Sequence, residues 1–345
     1  MTRGAPLLEL DNFSTHYVSA QGTRVVRAVD PVSLRVEAGE TLGIVGESGS
    51  GKSTLALSIL RVLPPAARIV SGRALLDGED LVTKSEAEMR EVRGKRIAMI
   101  LQDPMASLNP LFTIGNQVAE PIQVHEHAGR RTAWQRAREL LKAVRIPSPE
   151  ARVRQYPHEM SGGMRQRIVG AIGISCEPRL LIADEPTTSL DLTIQAQYLN
   201  LLRDLQRAHG LALIFITHNL GIVAKMCDQL AVMYAGRMVE HGPVSRIFNA
   251  PAHPYTKALL DSIPRMSDPD QRLAAIDGQP PDLSSLPPGC AFAPRCGQAM
   301  ARCHVAAPPV FVPEEGRLAR CWLTEPPLPV TAPARDELRV AGGAV

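Results

Sequence analysis

Residues 41–54 read TLGIVGESGSGKST. The apolar run Thr41–Val45 predicts a buried strand, and the segment after it, ending in Lys52-Ser53, leads into a helix. Gly46, Gly51, Lys52 and Ser53 stand at the G-x-x-x-x-G-K-S spacing of a P-loop, with Glu47, Ser48, Gly49 and Ser50 as the loop and Thr54 just beyond. The glycines let backbone N–H groups turn toward an anion without interference from Cβ, and the positive end of the following helix adds to the attraction. Lys52 is placed to reach the β- and γ-phosphates of a nucleotide, and the Ser53 hydroxyl to ligate Mg²⁺. A glycine-rich turn with no ligand remains the plain alternative at this point.

The chain has 345 residues, 45% of them hydrophobic and 21% charged, as in an ordinary globular protein large enough for one big domain plus an appendage. A net charge of +3 gives no footprint for nucleic acid, so none is expected as a partner. The longest apolar runs, such as 211–216, fall far short of the ~20 residues that cross a bilayer. The opening MTRGAPLLELDNF lacks the apolar core of a secretory signal, so the expected compartment is the cytoplasm.

Up to about residue 242, short β-rich runs alternate with helical patterns, which predicts an α/β core with strands at 41–45, 96–101, 180–183, 211–217 and 229–234. The early stretches 7–12, 24–29 and 32–36 predict a small antiparallel sheet beside it. Residues 104–175 turn helical, most clearly at 132–144, and predict an inserted helical subdomain. Beyond 242 the composition shifts: 17 of the 29 prolines and four of the six cysteines lie there. Helices are expected at 244–248 and 254–262, the second with Pro at its start, and the rest loop-rich, with residues from about 325 flexible. The domains are therefore 1–242 and 243–345.

A bound Mg²⁺ needs a carboxylate, and Leu180-Leu-Ile-Ala-Asp184-Glu185 supplies two at the C-terminal end of a buried parallel strand, the edge where α/β sheets place ligands. Asp184 is the expected Mg²⁺ ligand and Glu185 the group that polarises an attacking water. Met160-Ser161-Gly162-Gly163-Met164 opens another helix, with Ser161 as N-cap. Ser161 and the amides of Gly162 and Gly163 form a second anion site, which must serve a partner's nucleotide if it lies too far from the first.

With these motifs in order, the chain resembles the ATP-binding subunit of ABC transporters over residues 7–242. The resemblance implies a P-loop ATPase core of RecA-like, mostly parallel sheet, with the antiparallel and helical subdomains already described and a Cys-containing extension. It implies that Tyr17 stacks on adenine, that Gln102 in LQDP touches Mg²⁺ or the attacking water, that Asp191 in SLD (189–191) bridges two ATPase subunits, and that His218 contacts the γ-phosphate. It further implies ATP and Mg²⁺ as ligands, a head-to-tail pair with a second, different ATPase subunit, two transmembrane permease subunits, an extracytoplasmic substrate-binding protein, and a peripheral position on the cytoplasmic face of the inner membrane. The signature departs from the family's LSGGQ at Met160 and Met164. The stretches 251–264, 276–290 and 290–303 resemble the tail of oligopeptide and dipeptide importers, shared with nickel and glutathione importers. A soluble, non-transport ABC ATPase is the alternative from another class. A P-loop GTPase is disfavoured, since no guanine-reading Asn-Lys-x-Asp occurs.

Cys290, Cys296, Cys303 and Cys321 follow a C-x5-C-x6-C-x17-C pattern. Four thiolates suit a [4Fe–4S] cluster or Zn²⁺. The spacing lacks the short knuckles of structural zinc, and the resembling tails carry a cluster in some members. Reduced thiols without metal remain open. Cys176 and Cys227 are expected as buried core thiols.

Overall fold

The computed structural model describes residues 5–103, 107–188, 190–263 and 275–326. In chain order the first half contains β1 (Leu8–Val18), β2 (Val25–Val36), β3 (Thr41–Val45), α1 (Lys52–Ile59), β4 (Ala67–Leu76), β5 (Glu79–Asp80), α2 (Glu86–Val92) and β6 (Ile97–Ile100). A helical block follows: α3 (Ile114–Glu126), α4 (Arg130–Ala143), α5 (Pro149–Arg152) and α6 (Gly162–Ile174). Then come β7 (Leu180–Asp184), α7 (Leu192–His209), β8 (Ala212–Ile216), α8 (Leu220–Met226), β9 (Gln229–Tyr234) and β10 (Arg237–Pro243). The tail holds α9 (Val244–Asn249), α10 (Pro254–Asp261), α11 (Ala301–Val305), β11 (Phe311–Glu314) and β12 (Arg317–Ala319).

Strands β9, β3, β8, β7 and β6 pair in parallel in that order. They are short and almost wholly apolar because both faces are covered. On one face Leu42, Ile44, Ile182, Ile214 and Met233 pack with α1 (Leu55, Ile59) and with the separate antiparallel sheet β2-β1-β4-β5. On the other, Leu181, Ala183, Leu213 and Phe215 meet the helical block and α7 (Ile122, Leu141, Ile168, Leu202). Farther along that second face Leu230, Val232 and Tyr234 meet α9, α10 and the tail (Ile247, Tyr255, Phe292). The period-2 alternation of strand side chains thus puts α1 and α6 on opposite sides of the sheet.

The two early strands expected at 24–29 and 32–36 are one strand, β2, and β1 runs on to Val18, past its predicted end. The pairing absorbs the interruption through register shifts between Leu10 and Tyr17, so that bulges rather than breaks punctuate the sheet. Strands β4 and β5 and helix α2, the last closed by a Ser85–Glu88 capping box, are additions to the reading. Their signal is weak because much of β4 is exposed and mixed in composition.

The tail is loop-rich as expected, yet it is not held apart from the core. Its hairpin β11–β12 extends the main sheet, β12 pairing antiparallel with β10. Arg317 of β12 drives its guanidinium onto Glu240 of β10 at 2.7 Å, with the two side chains 6% and 0% exposed. The Glu240 carboxylate also accepts from the amides of Ala252 and His253, both at 2.9 Å, which fixes the entry to α10. Tyr234, Tyr255 and Phe292 form a packed aromatic triangle between sheet and tail.

Candidate nucleotide site

The loop from Gly46 to Gly51 closes against the backbone of its neighbours. A Cβ on Gly46 would lie 2.1 Å from the Met233 carbonyl oxygen, and one on Gly51 would lie 2.0 Å from that of Ala28. Gly51, at φ 101°, is the left-handed residue from which α1 starts. Lys52 folds back under this loop, 7% exposed, and its Nζ donates to Gly46 O at 2.8 Å, Glu47 O at 2.9 Å and Ser50 Oγ at 3.3 Å. Burial lowers its pKa, while Glu185, Asp184 and Glu47 work against that shift.

Asp184 ends β7 at the expected sheet edge, 6% exposed. Burial raises its pKa, opposed by a hydrogen bond from Ser53. Its Oδ1 is buried without a hydrogen-bond partner. A desolvated carboxylate oxygen with no donor, beside a serine hydroxyl, is a hard-oxygen pair that fits Mg²⁺.

Glu185, next in sequence, is turned out of the strand by a left-handed backbone (φ 43°), with its N–H held by Ile216 O at 2.9 Å. Its carboxylate gathers three side chains. Oε2 accepts from Gln102 Nε2 and from Thr188 Oγ1, each at 3.0 Å, and Oε1 lies 3.3 Å from His218 Nδ1. Gln102, Glu185 and His218 therefore meet at one point. Thr188 is an addition, and its only sequence signal is its place three residues after Glu185 in one turn.

Tyr17 reaches the start of α1, its hydroxyl 3.4 Å from Thr54 Oγ1. Ser161 caps α6 by accepting from Met164 N at 3.3 Å. Gly163 faces α7, where a Cβ would approach Ile194 Cγ2 to 2.7 Å. Asp191 caps α7 through Thr193 N at 3.1 Å and Ile194 N at 3.0 Å. The Ser161-Gly162-Gly163 turn and Asp191 thus share one corner, on the side of the sheet away from α1. Ser189, Pro104 and residues 327–345 lie outside the described residues.

One contact to the loop had no local signal. Arg295, in the tail, makes a two-pronged ion pair with Glu47 at 2.7 and 2.9 Å across 248 residues.

Cys290, Cys296, Cys303 and Cys321 are free thiols lining one small cavity of about 20 Å³, together with His253 and Trp322. Among the described residues no three liganding side chains stand close enough to hold a metal ion as placed. Burial raises the pKa of Cys290 and Cys296 and pushes Cys321 up to about 11. Cys176 is buried and Cys227 nearly so, and burial drives Cys227 up to about 12, as fits inert core thiols.

Residues 29–188 match the ABC transporter family, and residues 239–303 match the oligopeptide/dipeptide transporter C-terminal region. The chain is 50% identical to the probable peptide ABC transporter ATP-binding protein of Sinorhizobium fredii over 92% of this chain and 94% of that one. It is 48% identical to the oligopeptide transport ATP-binding protein of Bacillus subtilis over 96% and 93%. Among solved structures it is similar to a dimeric ATP-binding cassette in a post-hydrolysis state bound to ADP and Pi (24% identity, TM-score 0.62, covering 69% of this chain and 98% of that one). It is also similar to cbiO1 of Clostridium perfringens (27%, TM-score 0.59, 71% and 91%). The chain belongs to the ATP-binding proteins of ABC transporters and is an ATPase of that type. Within that family its relatives and its tail are of the oligopeptide/dipeptide kind. Among the described residues no helix is long and apolar enough to cross a membrane.

Proposed function

We propose that this ATPase powers uptake of di- and oligopeptides through a membrane permease. The observation that carries the hydrolytic reading is the convergence of Gln102, Thr188 and His218 on Glu185, one residue beyond the buried Asp184. The peptide cargo rests on the tail match and on the names of the relatives. Lys52 and the amides of 46–51 hold the phosphates, Tyr17 stacks on adenine, and Ser53, Asp184 and Gln102 hold Mg²⁺, which screens the phosphate charge when bound. Glu185, oriented by its three partners, takes a proton from water as the water oxygen bonds to the γ-phosphorus. The bond to the β–γ bridging oxygen breaks, giving ADP and phosphate, while His218 contacts the γ-phosphate.

The Ser161 turn serves a second subunit's nucleotide, a reading supported by its place on the face opposite α1. Two ATPase subunits, the second a related chain, pair head to tail with Asp191 at their junction. They act on two permease subunits at the cytoplasmic face of the membrane, fed by an extracytoplasmic binding protein. The four tail thiols line one cavity, though as placed they do not stand close enough to hold a metal ion; a [4Fe–4S] cluster there rests on the resemblance of the tail alone, with Zn²⁺ or reduced, metal-free thiols as the alternatives, and iron with acid-labile sulfide in anaerobically purified protein tests it.

Labelled-peptide uptake in cells deleted for this chain tests the cargo. It should vanish and return with the wild-type chain; unaltered uptake overturns the proposal, and loss of nickel or glutathione uptake alone selects those cargoes.

A further inference from the structure

All three polar elements of Glu47 are held. Its carbonyl accepts from Lys52 Nζ at 2.9 Å, its N–H donates to the Tyr255 hydroxyl at 2.8 Å, and its carboxylate takes the Arg295 fork. The first hold comes from within the loop; the other two come from the tail.

Arg295 is itself over-determined. Its side chain is 4% exposed. Nε donates to Asp277 O at 2.9 Å, Nη1 to Glu47 Oε2 at 2.7 Å and Tyr234 Oη at 3.2 Å, and Nη2 to Glu47 Oε1 at 2.9 Å and Ile276 O at 3.2 Å. Each of the five guanidinium N–H groups therefore has an acceptor. The group also sits 5.8 and 5.9 Å from the ring centroids of Tyr234 and Phe292. A desolvated, fully bonded arginine is a fixed point, and its one charged partner is a residue of the phosphate loop.

Two consequences follow for a polyphosphate entering that loop. Glu47 would otherwise present a free negative charge at the mouth of an anion site, and the guanidinium neutralises it and draws it toward the tail. The loop amides, which must converge on the phosphates, also lose freedom before the ligand arrives, so less ordering remains to oppose binding. We propose that Arg295, with Tyr255, is a positioning residue of the ATP site: the tail braces the P-loop through Glu47 and raises its affinity for ATP. This rests on the ATP-site reading above. Because coupling is reciprocal, ATP must also steady the tail around Arg295.

The test uses the full chain, ATP with Mg²⁺, and equilibrium binding alongside turnover. Arg295→Ala should weaken ATP binding about tenfold, the scale of one charge-assisted hydrogen-bonded pair, and should change kcat at saturating ATP by no more than about twofold. Arg295→Lys should recover only part of the loss, because a point charge cannot reproduce the fork. Tyr255→Phe, which leaves the aromatic packing in place, should weaken binding in the same direction. Glu47→Gln added to Arg295→Ala should recover part of the loss, since it removes the negative charge that the missing guanidinium leaves unneutralised. In hydrogen exchange, wild-type residues 290–296 should gain protection on adding ATP, and this gain should disappear in Arg295→Ala. Wild-type affinity in Arg295→Ala and Tyr255→Phe, or a tail indifferent to ATP in the wild type, overturns the proposal. If Arg295→Ala does not fold, Tyr255→Phe and the wild-type exchange decide alone. A wild-type chain that fails to bind ATP would instead refute the ATP-site reading.

Discussion

The phosphate loop and the tail meet at Glu47 by opposite routes. The loop is a local construction: six residues, a folded-back lysine and two glycines whose missing Cβ atoms let three backbone segments close up. The tail is non-local, seated by charged groups that pair across large sequence separations, Arg317 with Glu240 and Arg295 with Glu47. A motif built on backbone geometry tolerates much variation in its surroundings. A buried ion pair tolerates loss of one partner poorly, because the other charge stays desolvated.

This contrast can be broken from either side. Lys52→Ala removes the cation from the loop and should lower ATP turnover by roughly 100-fold or more, with little change in melting temperature; a large fall in stability would show that the loop is structurally coupled after all. Arg317→Leu should do the reverse. Among the described residues it leaves the Glu240 carboxylate with the Ala252 and His253 amides as donors, and it should cost about 3–5 kcal/mol in denaturant unfolding. A smaller pH effect sharpens the same seam. His241 of β10, opposite Leu318 of β12, has a buried Nε2 without a partner, and burial lowers its pKa to about 4. Glu9, Glu37, Glu40, Arg246 and Arg317 line the same cleft. The unfolded chain takes up this proton near the ordinary value of about 6.5, so stability is full above that pH and is lost as pH falls toward 4. The loss should total up to about 3 kcal/mol and should flatten in His241→Leu when unfolding is followed across that range.

Legibility in the sequence followed the same division. The P-loop, Asp184–Glu185 and the capped Ser161 turn could be read because each needs particular residue types a few positions apart, and β3 and β9 could be read as buried apolar runs with clear ends. The edge sheet was harder: Pro31 lies inside β2, and bulges break the alternation that marks β1. Thr188 and Arg295 were invisible because their meaning lies in a contact, across 248 residues in the second case. The cysteine spacing drew attention to the tail, and the four thiols do share one cavity. The spacing gave no hint that the arginine beside Cys296 reaches the phosphate loop.

Glu185, gathered by Gln102, Thr188 and His218, is the group proposed to activate the water that cleaves ATP. Phosphate release by Glu185→Gln, measured beside its ATP binding, tests it most directly. Turnover should fall at least about 100-fold while ATP still binds and, with the second ATPase subunit present, holds the two together, visible as ATP-dependent dimers in light scattering. Turnover within a fewfold of wild type would remove Glu185 from that role.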